Sequence, residues 1–176
     1  MQKHHTLYLA YGSNLNVSQM SSRCPDAIPM GGFYLPDYKL VFRGVADIEY
    51  EKGNAIPVGM WHLTDRCIEA LDHYEGVDNG LYDRIYIGME YYSEDKPFMT
   101  YQMNYDSIRR PSSFYYHTID EGYRDFGLSL SFLEKARDHA TNNETVIKNY
   151  APDKLGDRKG KWWYPKTSYI ILGVWF

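Results

Sequence analysis

Short β-rich stretches recur along this chain while few segments carry a helical period, and that imbalance restricts its architecture more than any other feature. Alternating or apolar runs at Leu7–Ala10, Tyr38–Val45, Ala55–Leu63, Asp83–Tyr91, Phe98–Asn104 and Ser168–Trp175 predict strands. Turn residues punctuate them at Pro36-Asp37, Lys52-Gly53-Asn54, Asp78-Asn79-Gly80 and Ser93–Pro97. Two segments are predicted as helices. Asp65–Tyr74 follows Thr64, a good N-cap, and precedes Gly76, a good C-terminal cap. Ser131 and Glu134 have capping-box spacing and open a helix through Ala140, with Phe132, Leu133, Ala136 and Ala140 on one side. The expected fold is α+β, with a mixed or antiparallel barrel-like sheet and a few flanking helices. A chain of 176 residues with no internal repeat, low-complexity tract or linker is expected to form a single domain over 1–176.

Composition excludes several classes of function. A net charge of -4 leaves no basic footprint, so a nucleic-acid partner is not expected. The local exception, Asp157–Lys161, reads as a solvated loop. No apolar run approaches the ~18 residues of a membrane span. Cys24 and Cys67 form neither a CxxC pair nor a metal spacing, and nothing at the N-terminus resembles a secretory signal. They are expected as free thiols in a reducing, cytoplasmic setting. The histidines show no zinc-ligand spacing either. Tyrosine stands out, with 18 residues. Its flat apolar ring with a hydroxyl handle suits a ligand or partner surface.

Two segments have the makings of a site. Ala10-Tyr11-Gly12-Ser13-Asn14-Leu15 follows an apolar strand, and a strand feeding a Gly-Ser-Asn turn exposes backbone N–H groups. Such a turn suits a carboxylate, a phosphate or a developing oxyanion. In the helix Asp65–Tyr74, Ile68, Leu71 and the following Glu75 fall along one face. If that face packs inward, Glu75 enters the interior, where burial raises its pKa towards that of a useful general base. If the last turn curls outward, Glu75 is an ordinary solvated carboxylate.

Residues Tyr11–Leu15 and Leu71-Asp72-His73-Tyr74-Glu75-Gly76-Val77 together resemble the gamma-glutamylcyclotransferase family. So do Tyr82, seven residues after Glu75, Tyr101–Tyr105 and Pro111-Ser112-Ser113-Phe114-Tyr115. The resemblance spans about residues 7 to 140. It implies a reaction in which the free α-amine of a gamma-glutamyl amide attacks its own side-chain carbonyl. 5-Oxoproline closes and an amine leaves. The nucleophile is tethered, so the protein has only to hold a bent conformer, move protons and stabilise an oxyanion, with no metal or organic cofactor. The resemblance makes Glu75 the acid/base and assigns Tyr11, Gly12, Ser13, Asn14, Leu15, Tyr82 and Tyr115 to substrate binding. The Gly12–Leu15 N–H groups would hold the α-carboxylate or the oxyanion. Tyr82 and Tyr115 would wall the pocket and donate hydrogen bonds. Tyr11 fits packing as well as contact. A homodimer would be in keeping with the family.

The leaving amine is open between an amino acid, a dipeptide, a polyamine and a protein lysine. Arg43, Arg84, Arg109 and Arg110 are candidates to pair with a substrate carboxylate. The segment 142–176 departs from the family pattern, and its Trp162–Pro165 and Tyr169–Trp175 runs would cover the pocket, complete the sheet or make an interface. Two other classes of function remain open: a binding module that sequesters an anionic metabolite or nucleotide in the same pocket, and an interaction domain docking through the aromatic C-terminus. Tolerance of Glu75→Gln would mark the first.

Overall fold

The computed structural model describes residues 5–88 and 97–144. All belong to the compact unit Met1–Thr145; a second unit, Val146–Phe176, lies outside the described residues. The expected strand Ser168–Trp175, the charged run Asp157–Lys161 and Trp162–Pro165 fall there.

Among the described residues five strands form one sheet in the order β2-β3-β1-β5-β4. They are β1 (Thr6–Ala10), β2 (Ile28–Phe42), β3 (Ala46–Leu63), β4 (Tyr82–Ile87) and β5 (Phe98–Met103). β1 lies at the centre, antiparallel to β3 and parallel to β5. β4 runs antiparallel to β5, pairing Tyr82 with Met103. The sheet is therefore mixed, as expected, but open: among the described residues β2 and β4 are its two edges and share no ladder, so these strands do not close into a barrel. Central strand β1 buries Tyr8, Leu9 and Ala10 completely or nearly so, which fits its apolar run.

β2 and β3 form one long hairpin whose length hides in the sequence. Pro36-Asp37 and Lys52-Gly53-Asn54 look like separate turns, yet they lie opposite each other inside the hairpin. Tyr38 pairs with Tyr50 and Pro36 with Ala55, so the four residues between Tyr50 and Ala55 bulge against Asp37 alone. Asp37, with a φ of 61°, accepts the Gly53 N–H at 2.7 Å and stitches the bulge. The real reversal is at residues 43–45, where Arg43 N–H donates to the Val45 carbonyl at 2.8 Å and Gly44 takes a φ of 89°. The strand expected over Tyr38–Val45 thus ends at Phe42.

Four helices complete the described unit: α1 (Val17–Arg23), α2 (Asp65–Glu75), α3 (Ser113–Asp125) and α4 (Leu130–Asn142). α2 matches expectation closely. Thr64 accepts the Cys67 N–H at its start, and Gly76 closes it in the left-handed conformation at φ 66°. α4 buries Leu133, Ala136 and Ala140, the face read from sequence, but it starts at Leu130 after Ser129, so Ser131 lies inside the helix and the expected capping box does not form. α1 and α3 were not foreseen. α3 is capped by Ser112, which accepts the Tyr115 N–H, and buries Thr118, Ile119, Gly122 and Tyr123. Cys24 and Cys67 are free and buried. No helix among the described residues is long and apolar enough to cross a membrane.

Candidate active site

The topology gathers the carboxyl end of β1 and the amino ends of β3 and β4 at one end of the sheet. Beyond β1 the chain winds into a 3-10 turn, Ser13–Leu15, closed by Leu15 N–H to the Gly12 carbonyl at 3.0 Å and Asn16 N–H to Ser13 at 3.1 Å. Asn16 then caps α1 by accepting the Gln19 N–H. Gly12 is needed for space rather than for a special φ. A Cβ there would lie 3.1 Å from the Ala46 methyl and 3.2 Å from the Tyr115 hydroxyl.

Glu75 ends α2 on the inward face, behind fully buried Leu71. The Asn14 amide nitrogen donates to Glu75 Oε1 at 2.8 Å and to the Tyr8 hydroxyl at 2.9 Å. The residue keeps a partly exposed edge. Even so, desolvation pushes its carboxyl from the ordinary 4.5 up to about 7, against the opposing pull of the Asn14 hydrogen bond and the Arg23 charge. Of the two readings of Glu75 open from sequence, the inward one holds.

Ala46, the first residue of β3, fixes both pocket tyrosines through its own backbone. Tyr82 donates its hydroxyl to the Ala46 carbonyl at 2.7 Å, and the Ala46 N–H donates to the Tyr115 hydroxyl at 3.2 Å. A phenol carries one proton. Tyr82 has spent its proton inside the protein, whereas Tyr115 accepts from Ala46 and has the Ser13 hydroxyl as a further hydrogen-bond neighbour. Burial pushes both phenols well above their ordinary 10.

The other expected residues are brought to the same place with different duties. The Ser13 hydroxyl lies 3.1 Å from the Tyr74 hydroxyl. Tyr11 is buried and donates to the Tyr101 carbonyl at 2.7 Å, which makes it a brace between β1 and β5. Leu15 is fully buried, and its N–H is already bonded to Gly12. Arg43 is held by Asp47 at 2.7 Å and by Glu49, Arg84 lies 3.3 Å from Asp72, and Arg110 bonds Glu144 at 2.9 Å. Arg109 joins the β2–β3 reversal through its backbone, donating to Phe42 and accepting from Gly44.

Four residues of the cluster escaped the sequence reading: Tyr8, Arg23, Tyr74 and Ala46. Arg23 donates to Asn14 Oδ1 at 2.9 Å and stacks 3.7 Å over the Tyr74 ring. Tyr8 carried a signal, since it alternates with Leu7 and Leu9 on the strand leading to the turn. Ala46 contributes only backbone, so its side-chain identity held no clue. Among the described residues no three His, Cys, Asp or Glu side chains converge as metal ligands would. The arrangement offers a carboxyl that titrates near neutrality, a phenol donor and a tight backbone turn within one end of the sheet. That set suits proton transfer beside a polar carbonyl centre.

Comparison with known proteins agrees. A gamma-glutamylcyclotransferase of Bos taurus is 32% identical over 144 residues, covering 73% of this chain and 76% of that protein. The Homo sapiens gamma-glutamylcyclotransferase is 30% identical over 155 residues, covering 79% and 81%. A solved gamma-glutamyl cyclotransferase structure superposes with a TM-score of 0.63 at 26% identity, covering 88% of this chain and 97% of that one. The family described as gamma-glutamyl cyclotransferase, AIG2-like, matches residues 8–121, a span that takes in the turn, Glu75, Tyr82 and Tyr115. The chain belongs to the gamma-glutamyl cyclotransferase, AIG2-like family.

Proposed function

We propose that this chain is a gamma-glutamylcyclotransferase in which Glu75 moves the protons. In the reaction, a bond forms between the substrate's α-nitrogen and its side-chain carbonyl carbon, and the bond from that carbon to the leaving nitrogen breaks. One proton passes from the attacking nitrogen to the departing one. Ring closure yields 5-oxoproline and a free amine. With a carboxyl pKa of about 7, Glu75 is ionised often enough near neutrality to take the proton. It is also acidic enough to return it to the leaving nitrogen. This matched acid and base character in one buried carboxyl is the observation that carries the reading.

The other residues take supporting parts. Gly12, Ser13 and Asn14 present the turn's backbone to the substrate's α-carboxylate or to the developing oxyanion, and Tyr115 adds an O–H donor. Tyr82 holds Ala46, and through it Tyr115. Tyr11 and Leu15 shape the turn from below. A cytoplasmic site of action is part of the reading and is supported by the two free, buried thiols. A homodimer is also part of it, supported by the family alone and checked by light scattering on the purified chain.

The deciding experiment is release of 5-oxoproline from a panel of gamma-glutamyl amino acids, amines and peptides. Wild-type protein is expected to turn over at least one member, which also identifies the leaving group. Glu75→Gln, folded by circular dichroism, is expected to lose at least a hundredfold in kcat, at the low end of what general acid–base groups supply. Undiminished turnover by Glu75→Gln would remove Glu75 from the mechanism. Binding of a small anion by both proteins without turnover would establish sequestration instead.

A further inference from the structure

We propose that Arg23 is a positioning residue whose guanidinium fixes the Asn14 amide so that its nitrogen, and not its oxygen, faces Glu75. The inference rests on the reading of Glu75 as the proton-carrying group, and it adds a residue to that machinery.

The argument is one of hydrogen-bond polarity. A side-chain amide has two donor protons on nitrogen and an acceptor oxygen, and it can present either end to a neighbour. A guanidinium is donor-only. Arg23 Nη1 lies 2.9 Å from Asn14 Oδ1, so that oxygen is the end turned to Arg23. Both Asn14 protons are then committed to the far side, one to the Tyr8 hydroxyl and one to Glu75 Oε1. A flipped amide would set nitrogen against guanidinium and oxygen against carboxylate. Without Arg23 the first of these penalties disappears, and Asn14 can turn its oxygen to accept from a protonated Glu75, which favours the neutral carboxyl.

Arg23 is itself held rigidly enough for this task. It sits in the last turn of α1, whose start is fixed by the Asn16 cap. Its Nη2 donates to Gln19, and its Cζ lies over the Tyr74 ring, 3.7 Å from the centroid. Tyr74 precedes Glu75 on α2, so one guanidinium joins α1, the Ser13–Leu15 turn and the end of α2.

The groups acting on Glu75 come from every surrounding element. Tyr8 approaches from β1, Tyr11 from just beyond it, Tyr74 from α2, Tyr82 from β4, Tyr101 from β5 and Tyr115 from α3. All are phenols pushed upward from 10 by burial, so they stay neutral throughout the range in which Glu75 titrates. Asp72, which accepts from Tyr101 at 2.8 Å, is paired with Arg84. Arg23 is the cation that favours the ionised carboxylate, directly by its charge and through Asn14 by its geometry.

Charge and geometry are separable by experiment. The Glu75 carboxyl is followed by 13C NMR against pH, its resonance identified by its absence in Glu75→Gln. Arg23→Met is expected to move the midpoint to higher pH by about one unit, the low end of a neighbouring arginine's effect. Arg23→Lys keeps the charge but lacks the planar fork, and is expected to recover only part of that movement. In an Asn14→Ala background, Arg23→Met is expected to move the midpoint less than it does in the wild type, because part of its route is gone. Below the midpoint, kcat/KM of Arg23→Met for 5-oxoproline release should fall about tenfold, with little loss well above it.

An unmoved midpoint in Arg23→Met would overturn the proposal. So would equal movement with and without Asn14, since that would leave charge alone at work. A merely structural role would lower kcat/KM evenly at every pH. If the wild type releases no 5-oxoproline while the titrations behave as expected, the catalytic reading fails and the Arg23–Asn14 relation stands.

Discussion

Glu75 links acid–base chemistry to stability, with opposite signs. As a base it must be ionised, so kcat/KM is expected to rise with pH through about 7, the midpoint set by burial. For folding, the same carboxyl has a pKa raised above its ordinary 4.5. Between these values the folded protein holds a proton that the unfolded chain has released. Its stabilising contribution is therefore fully present below about 4.5 and is lost as pH rises through about 7. Glu75→Gln removes that loss, and should raise the unfolding free energy at pH 8 by about 3 kcal/mol while changing little at pH 4. Urea unfolding at the two pH values measures this, and equal effects at both would show that the carboxyl is not desolvated. The face on which Glu75 lies was legible because Ile68 and Leu71 mark it on a helix long enough to show a period, but whether the last turn packs inward or curls to solvent depends on neighbours that the period does not reveal. Arg23 was not legible. Its helix has 7 residues, too few to display a period, and its role depends on an amide from a different element.

At the level of elements, the site depends on how closely α3 lies on the Ser13–Leu15 turn. A Cβ on Gly122 would come within 2.5 Å of Leu15 Cβ and 2.6 Å of the Asn16 nitrogen. Neither atom is the end of a flexible side chain, so the helix or the turn would have to move. Gly122→Ala should therefore cost stability, about 1–3 kcal/mol, even though alanine favours helices. It should also lower kcat more than KM rises, because the displaced turn carries Asn14 and the displaced helix carries Tyr115. A thermal melt with a kinetic comparison tests both, and an unchanged or higher melting point would refute the close packing. α3 itself was missed because Ser113–Asp125 is poor in strong helix formers and carries Tyr115, Tyr116, Thr118 and Gly122. Tertiary packing overrides that propensity. The spacing of Ile119 and Tyr123, four apart and both fully buried, was the available signal. The β2–β3 hairpin was misread for a related reason. Pro36-Asp37 and Lys52-Gly53-Asn54 have turn chemistry, and only the pairing across the hairpin reveals that they share one bulge.

At the scale of the molecule, the reversal of the long hairpin ties the sheet to the site through the buried Arg43–Asp47 pair. Asp47 is almost completely buried, accepting from Arg43 at 2.7 Å and from the Met103 N–H at 2.8 Å, so it links β3 to the end of β5. Arg43 also donates to the Ser107 carbonyl at 3.3 Å and to Glu49. Ala46, which holds Tyr82 and Tyr115, is the residue next to Asp47. A buried pair of this kind adds little net stability over an apolar substitute, but removing Asp47 leaves the Met103 N–H without its acceptor and takes one of its two carboxylates from a nearly buried Arg43. Asp47→Ala should therefore destabilise by about 3–5 kcal/mol. At about 2–4 °C per kcal/mol for a chain of this length, the melting point should fall by roughly 10 °C. Glu49→Ala removes a partner whose side chain is 33% exposed, where solvent replaces the lost contact, and should cost under about 1 kcal/mol. The contrast between these two variants tests the claim, because both bear on the same arginine. Equal losses would mean that the Asp47 pair is no more buried in solution than the Glu49 pair. Below its melting transition, Asp47→Ala should still show reduced kcat for 5-oxoproline release, since Ala46 loses its anchor and with it the aim of the Tyr115 hydroxyl. Asp47→Asn keeps an acceptor for the Met103 N–H but not the charge facing Arg43, so its losses of stability and of kcat should both fall between those of wild type and Asp47→Ala.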